Sequence, residues 1–171
     1  MAFETRGDVT TDDYLQMIEG KTASLIATAA ECGALAAGQP PEVRQHYREF
    51  GRHLGLAFQI RDDILGIWGD SSVTGKSAAT DILARKKTLP VLYGLDRDPA
   101  LRAAYRPESE GGGRVAEIVA ALEACGARAF GEEKEKHHAD LALASLAAAK
   151  PAGEAGQAIQ DLTLQLLGRI N

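Results

Sequence analysis

The stretch Phe58-Gln-Ile-Arg-Asp-Asp-Ile-Leu-Gly-Ile-Trp-Gly-Asp70 decides the fold of this chain. Apolar residues dominate the stretch, and their spacing predicts an α-helix that is largely buried. Positions three and four residues apart share a face of such a helix, and that face carries Gln59, Asp62, Asp63 and Gly66. We therefore expect the two adjacent carboxylates to point to one place.

A buried pair of carboxylates needs a compensating charge, because a buried charge without a partner is costly. Mg²⁺ suits oxygen ligands from neighbouring helical turns, and it prefers one or two carboxylates together with waters and substrate phosphates. We therefore predict that Asp62 and Asp63 bind Mg²⁺.

A polar, glycine-punctuated loop at residues 69–77 follows, and after it come Asp81 and the basic run Arg85–Lys87. Carboxylates followed by lysines are typical of a metal-diphosphate site. A nucleotide P-loop is the alternative interpretation, but it follows a strand and needs four residues between its first glycine and the Gly-Lys pair. Gly69 and Gly75 enclose five, so the spacing favours the metal-diphosphate site.

Composition sets the outer bounds. A chain of 171 residues with 45% hydrophobic content predicts a single domain over residues 1–171 with a sizeable core. No apolar run of about eighteen residues occurs and residues 1–13 are polar, which argues against a membrane span or a secretory signal. The net charge of −5 disfavours nucleic acid as a partner. Cys32 and Cys125 form no CxxC pair, so we expect reduced, packed thiols in a cytoplasmic protein.

Helical periodicity runs through the rest of the chain, and no strand-like alternation persists, which predicts an all-α fold. The mixed-charge run 132–138 is expected to be a solvated helix face, and His46 and His53 receive no role. A flexible loop is expected at 107–113. The first predicted helix begins at Thr10 or Thr11 and the second at Pro41. A third is predicted at Asp81–Leu95, with a kink at Pro90 that turns Lys86 towards a cavity. The remaining helices are predicted at Asp98–Arg106, from Val115 to near Gly126, at Ala127–Lys150 and after Gly153.

Several motifs occur in one order: Gly55-Leu-Ala-Phe-Gln-Ile-Arg-Asp-Asp-Ile-Leu65, Gly69-Asp70, Val73-Thr-Gly-Lys76, Asp81-Ile82 and Lys86-Lys-Thr-Leu-Pro90. Together they resemble the second aspartate-rich region of the trans-isoprenyl diphosphate synthases (polyprenyl synthases). The similarity extends upstream through Tyr14-Leu15 and Lys21-Thr22, and downstream through Leu122–Arg128. It implies the C-terminal half of the isoprenyl synthase helical bundle, in which long helices surround a deep cavity.

The resemblance also implies a reaction. A Mg²⁺-dependent prenyltransferase of this family condenses an allylic prenyl diphosphate with isopentenyl diphosphate. By residue, the resemblance implies Mg²⁺ binding by Asp62, Asp63 and Asp81, diphosphate binding by Lys21, Lys76 and Lys86, and catalytic roles for Lys21, Thr22, Gln59 and Lys86.

Two departures from the family pattern stand out. The first aspartate-rich motif and the basic residues that bind isopentenyl diphosphate are missing. We therefore expect a partner chain that supplies the N-terminal half, and two such pairs of chains could form a dimer. The chain is then a fragment or the subunit of a split enzyme, and the initiating methionine favours the split form. Alone, it should be inactive and expose a large apolar face.

The second departure is Gly66, which stands where the family commonly has the third aspartate of its DDxxD motif. We expect that this loss weakens one metal contact and that an aspartate at position 66 restores it. The alternative is that Gly66 makes room for substrate or for a close helix crossing.

Two other functions remain open at the level of the sequence. A class I terpene cyclase on the same fold would use the same ionisation without isopentenyl diphosphate. A non-catalytic subunit that modulates another prenyl synthase is the third hypothesis.

Overall fold

A computed structural model of the protein describes residues 8–69, 79–105 and 114–168. Within these ranges all regular structure is helical and no strand occurs, which confirms the all-α prediction. None of the helices in these ranges combines the length and the apolar character needed to cross a bilayer. Asp70, Lys76 and the predicted loop 107–113 lie outside the described residues.

The helices, numbered in chain order, are α1 (Thr11–Ile18), α2 (Ser24–Ala36), α3 (Pro41–Trp68), α4 (Thr80–Leu83), α5 (Leu89–Arg97), α6 (Pro99–Ala104), α7 (Val115–Ala124), α8 (Ala127–Ala149) and α9 (Gly153–Leu166). A π-helical segment, Glu19–Ala23, joins α1 to α2. Thr10 caps α1, because its hydroxyl accepts the Asp13 N–H at 3.1 Å while the Asp13 carboxylate accepts the Thr10 N–H at 3.0 Å.

The segment around Pro90 differs from the prediction of one kinked helix. Two helices, α4 and α5, flank residues 84–88, which are not helical. Pro90 lies in the first turn of α5, where a missing backbone N–H costs no helical hydrogen bond. The predicted kink is therefore wrong, and Lys86 lies in the link between the two helices.

The chain divides into two compact units. The first contains residues 1–15 and 60–133, and the second contains residues 16–59 and 134–171. The core of the first unit consists of Ile67, Ala79, Ile82, Val91, Leu101, Tyr105, Ile118, Leu122 and Ala127. The single domain expected over 1–171 stays a prediction.

The second unit has its own core, which consists of Phe50, Leu54, Ala57, Ala139, Ala142, Leu146 and Leu167. Beside it lies an apolar groove of about 350 Å³, on which Phe58, Leu162 and Leu166 remain partly exposed. Phe58 is 42% exposed although the sequence predicts a largely buried helix. The large apolar face expected from the sequence stays a prediction.

Both cysteines are free thiols. Cys125 is half-buried, whereas Cys32 is exposed rather than packed. The prediction of unpaired thiols is confirmed, and the expected packing holds for Cys125 alone.

Candidate active site

The two adjacent carboxylates of α3 differ in burial. Asp62 is exposed, whereas Asp63 is only 3% exposed. Consecutive residues of a helix are rotated by about 100° about its axis, which accounts for the difference in burial. Asp62 is therefore the member of the pair that solvent reaches directly. The expectation that both carboxylates point to one place stays a prediction.

Asp63 is held by two donors within the first unit. The Tyr14 hydroxyl donates to Asp63 Oδ2 at 2.6 Å, and the Leu89 backbone N–H donates to the same oxygen at 3.3 Å. Burial raises the pKa of the Tyr14 phenol, and the negative charge of Asp63 raises it further, so Tyr14 stays a donor. These bonds join α1 and the start of α5 to the C-terminal part of α3.

Asp81 and Lys86 form an ion pair beside the same helix. Asp81, at 5% exposure, accepts a hydrogen bond from Lys86 Nζ through Oδ1. This hydrogen bond raises the pKa of Lys86, and the charges of Asp81, Asp62 and Asp63 raise it further. All three carboxylates predicted to bind Mg²⁺ therefore act electrostatically on one lysine.

The backbone of Lys86 is fixed as well. The hydroxyl of Tyr105, a residue that is 8% exposed, donates to the Lys86 carbonyl oxygen at 2.7 Å. Burial is the main cause of the raised pKa of Tyr105, and the charge of Asp81 adds to it. The link between α4 and α5 is thus anchored at the residue whose side chain carries the charge.

Gly66 lies directly against Asp81. A Cβ atom on residue 66 would stand 2.6 Å from Asp81 Cγ and closer still to Oδ2. Position 66 therefore makes room for a carboxylate of the chain itself. This result supports the alternative hypothesis that Gly66 provides space, although Asp81 rather than substrate or another helix fills it.

Lys21, Thr22 and Gln59 belong to the second unit. The π-helical segment contains Lys21 and Thr22, and such segments occur frequently at functional sites. Thr22 Oγ1 donates to Gln59 Oε1 at 3.2 Å, so this predicted pair is in contact, whereas the Lys21 side chain is exposed. Local apolar spacing did not indicate the π-helical segment, and Lys76 lies outside the described residues.

His53 and His138 form a contact that the sequence did not predict. Their Nδ1 atoms lie 3.0 Å apart and their rings are stacked, with centroids 5.3 Å apart. One Nδ1 carries a proton and donates while the other accepts, so the two rings are not both doubly protonated. His138 is half-buried, which corrects the expectation that run 132–138 is entirely a solvated face.

The donor set fits Mg²⁺ without forming a complete protein cage. Across the described ranges no three His, Cys, Asp or Glu side chains are grouped so that they could hold a metal ion. Mg²⁺ needs only one or two carboxylates when waters and substrate phosphates complete its octahedral shell. Asp62 and Asp81 offer oxygen donors of that kind, and the Lys86 ammonium group lies at the Asp81 carboxylate.

Tyr14 and Tyr105 are the residues that reasoning from chemistry and spacing missed. Tyr14 lies 49 positions from the carboxylate it contacts, and Tyr105 lies 19 positions from the carbonyl it contacts. No helical spacing links residues so far apart. The Tyr14-Leu15 pair was visible only as part of the family resemblance, without a role.

Residues 1–122 match the family model described as polyprenyl synthetase. The chain belongs to this family. Farnesyl diphosphate synthase of Mycobacterium tuberculosis is 56% identical over 92 residues, which cover 54% of this chain and 26% of that enzyme. Octaprenyl diphosphate synthase of Escherichia coli is 33% identical over 146 residues, which cover 81% of this chain and 44% of that enzyme.

A solved structure of the family covers this member almost entirely. Geranylgeranyl pyrophosphate synthase of Corynebacterium glutamicum, complexed with isoprenyl diphosphate and magnesium, superposes with a TM-score of 0.85 at 27% identity. The match covers 99% of this chain and 50% of that protein. The family member described here thus spans less than half of the two curated relatives and half of the solved structure.

Proposed function

We propose that this chain forms the diphosphate-ionising part of a prenyltransferase that condenses an allylic prenyl diphosphate with isopentenyl diphosphate. The observation that carries the proposal is the ion pair between Asp81 and Lys86, in which the Asp81 carboxylate lies against Gly66 of the helix that carries Asp62 and Asp63. Carboxylates that attract Mg²⁺ beside a lysine that attracts phosphate match what ionisation of a diphosphate requires. Family membership supports the same assignment.

The residues of the first unit have distinct proposed roles. Mg²⁺ would be held by Asp62, which is exposed, and by Asp81, which is ion-paired with Lys86. Direct ligation by Asp63 stays a prediction. When bound, Mg²⁺ would act as a Lewis acid toward the diphosphate leaving group. Lys86 has three ammonium protons, so it can bind Asp81 and a diphosphate oxygen together. Its charge would stabilise the negative charge that grows as the C–O bond breaks.

The carbon chemistry follows from that ionisation. Breaking the C–O bond leaves an allylic cation, and the double bond of isopentenyl diphosphate attacks it to form a new C–C bond. A proton then leaves to the released pyrophosphate. The roles of Lys21 and Lys76 in binding diphosphate, and of Lys21, Thr22 and Gln59 in stabilising the cation, rest on the family resemblance.

A partner is part of the proposal. Since the chain spans less than half of the curated relatives, the other aspartate-rich motif and the isopentenyl-binding residues would come from a segment or chain with the missing half. The exposed apolar groove beside Phe58 supports such a partner, because exposed apolar patches mark association surfaces. The proposed location is the cytoplasm.

The test measures pyrophosphate release and lipid products from an allylic diphosphate and MgCl₂, with and without isopentenyl diphosphate. Each reaction is run with the chain alone and with the N-terminal half of a family member. Release that requires both substrates and both halves, and that stops in the Asp62→Ala variant, is the expected result. Elongation by the wild-type chain alone would refute the need for a partner.

The other two hypotheses are outcomes of the same test. Pyrophosphate release without isopentenyl diphosphate, with a cyclic product, would identify a terpene cyclase. Full activity of the complex with Asp62→Ala would identify a modulating subunit whose carboxylates do not take part in the reaction.

A further inference from the structure

We infer that Gly66 is a positioning residue for Asp81, whose carboxylate takes the space at the position where the family commonly has its third aspartate. The inference deepens the proposed function and rests on it, since it concerns the same Mg²⁺ and diphosphate site. Gly66 then has a structural role of its own and is not merely the absence of a metal ligand.

The first argument is the fit between the two residues. Asp81 is buried, and its carboxylate lies where any side chain at residue 66 would begin, with Cγ 2.6 Å from the ideal Cβ position. Heavy atoms cannot share that space, so any residue larger than glycine must displace the carboxylate. Glycine at position 66 is therefore a condition for the observed position of Asp81.

The second argument is the backbone strain on either side of Asp81 and Lys86. Ala79, directly before α4, has a φ of 57°, and Arg85, directly before Lys86, has a φ of 50°. Both lie in the left-handed region, which residues with a Cβ rarely adopt and which costs conformational energy. Strain of this kind persists where the surrounding structure requires it and concentrates at functional sites.

The third argument is that the ion pair is anchored from a second side. Tyr105 holds the Lys86 carbonyl oxygen, while Gly66 admits the Asp81 carboxylate. Displacing that carboxylate would separate it from Lys86 Nζ and leave a buried charge without its partner. The Gly66 space thus determines where one proposed Mg²⁺ ligand and one proposed diphosphate ligand lie.

A thermal-melting cycle tests the spatial part of the inference on the isolated chain. The variants are Gly66→Ala, Asp81→Ala and the double variant, and Gly33→Ala is the matched control because a Cβ on that helical glycine meets nothing within 4 Å. Gly66→Ala should lower the melting temperature by several degrees, whereas Gly33→Ala should raise it slightly. In the Asp81→Ala background, Gly66→Ala should raise the melting temperature, so the effect of this substitution should change sign between the two backgrounds. An unchanged sign would overturn the inference.

Mn²⁺ binding, followed through the paramagnetic resonance signal of the free ion, tests the positioning role in folded protein. Gly66→Ala should raise the Mn²⁺ dissociation constant about tenfold, because supporting residues of metal sites have effects of that size. The isosteric Asp81→Asn changes a proposed ligand itself and should raise the constant at least as much. Gly33→Ala should leave it unchanged. A Gly66→Ala variant that melts lower but binds Mn²⁺ as well as wild type would overturn this inference and leave the proposed function standing. Failure of the wild-type chain to bind Mn²⁺ would count against metal binding in the proposed function, whereas the melting cycle would still decide the spatial relationship of Gly66 and Asp81.

Discussion

The Tyr14 hydroxyl donates a hydrogen bond of 2.6 Å to Asp63 Oδ2 across 49 positions of sequence. The bond is buried and its acceptor is a carboxylate, so it belongs to the stronger class of protein hydrogen bonds. It makes Asp63 an anchor of the first unit and leaves its neighbour Asp62 exposed.

Replacing Tyr14 should therefore destabilise the protein more than replacing a tyrosine that binds a neutral acceptor. Tyr14→Phe removes only the hydroxyl, and we expect a loss of about 1.5–3 kcal/mol in the free energy of unfolding. Tyr105→Phe, whose hydroxyl binds a backbone carbonyl, is the control and should lose about 1 kcal/mol. Urea unfolding of the three proteins measures the difference. Equal losses would contradict the special role of the Tyr14–Asp63 bond.

Asp62 and Asp63 should separate into a binding residue and an anchoring residue. Asp62→Asn changes an exposed side chain, so stability should change by less than about 0.5 kcal/mol while Mn²⁺ affinity falls about tenfold or more. Asp63→Asn weakens the bonds from Tyr14 and Leu89, so stability should fall by about 1–3 kcal/mol. Melting curves and Mn²⁺ titrations on both variants test this. Equal weakening of Mn²⁺ binding by Asp63→Asn and Asp62→Asn would contradict this separation of roles.

The His53–His138 contact should make the second unit sensitive to acid. Burial, together with the charges of neighbouring basic groups, lowers the pKa of His138 to about 4 and also lowers that of His53. The groups that act on the pair are Arg52, Glu49 and Glu19 on one side and His137 and Lys134 on α8. Because an unfolded histidine titrates near pH 6.5, the unfolded chain binds more protons as the pH falls from about 6.5 to about 4, and stability decreases in that window.

Removing His138 should reduce this acid sensitivity. In His138→Gln, the loss of stability between pH 6.5 and pH 4 should be about 1 kcal/mol smaller than in wild type, after allowing for solvent screening of a half-exposed ring. His46→Gln is the control for the loss of a histidine elsewhere on the chain. Urea unfolding at several pH values measures the slopes, and parallel curves for wild type and His138→Gln would refute the prediction.

Gly55 should be intolerant of a side chain. A Cβ on this residue of α3 would lie 2.6 Å from Ala23 Cα, a backbone atom that cannot move without shifting the π-helical segment. We expect Gly55→Ala to lose about 1–3 kcal/mol, although alanine favours the helix by about 1 kcal/mol. Gly33→Ala, in open space, should be neutral or stabilising. Similar stabilities of the two variants would show that the segment yields to the extra methyl group.

Much of the architecture could be predicted from local pattern. The start of α3 at Pro41, the cap of α1 at Thr10 and the break between α7 and α8 at Gly126 follow from residue types whose backbone preferences act over a few positions. The error at Pro90 shows the limit of that reasoning, because proline both breaks helices and begins them. Which effect applied depended on the non-helical link that holds Lys86.

The sequence by itself determined the helical class, the family and the chemical types of the proposed site, because periodicity and ordered motifs are properties of the chain read one turn at a time. Only the tertiary structure decided which carboxylate is exposed, that Tyr14 holds Asp63, and that Asp81 fills the space beside Gly66. These relationships depend on distances between residues far apart in sequence. Such distances follow from how helices pack, and excluded volume and desolvation then determine which polar group each position can hold.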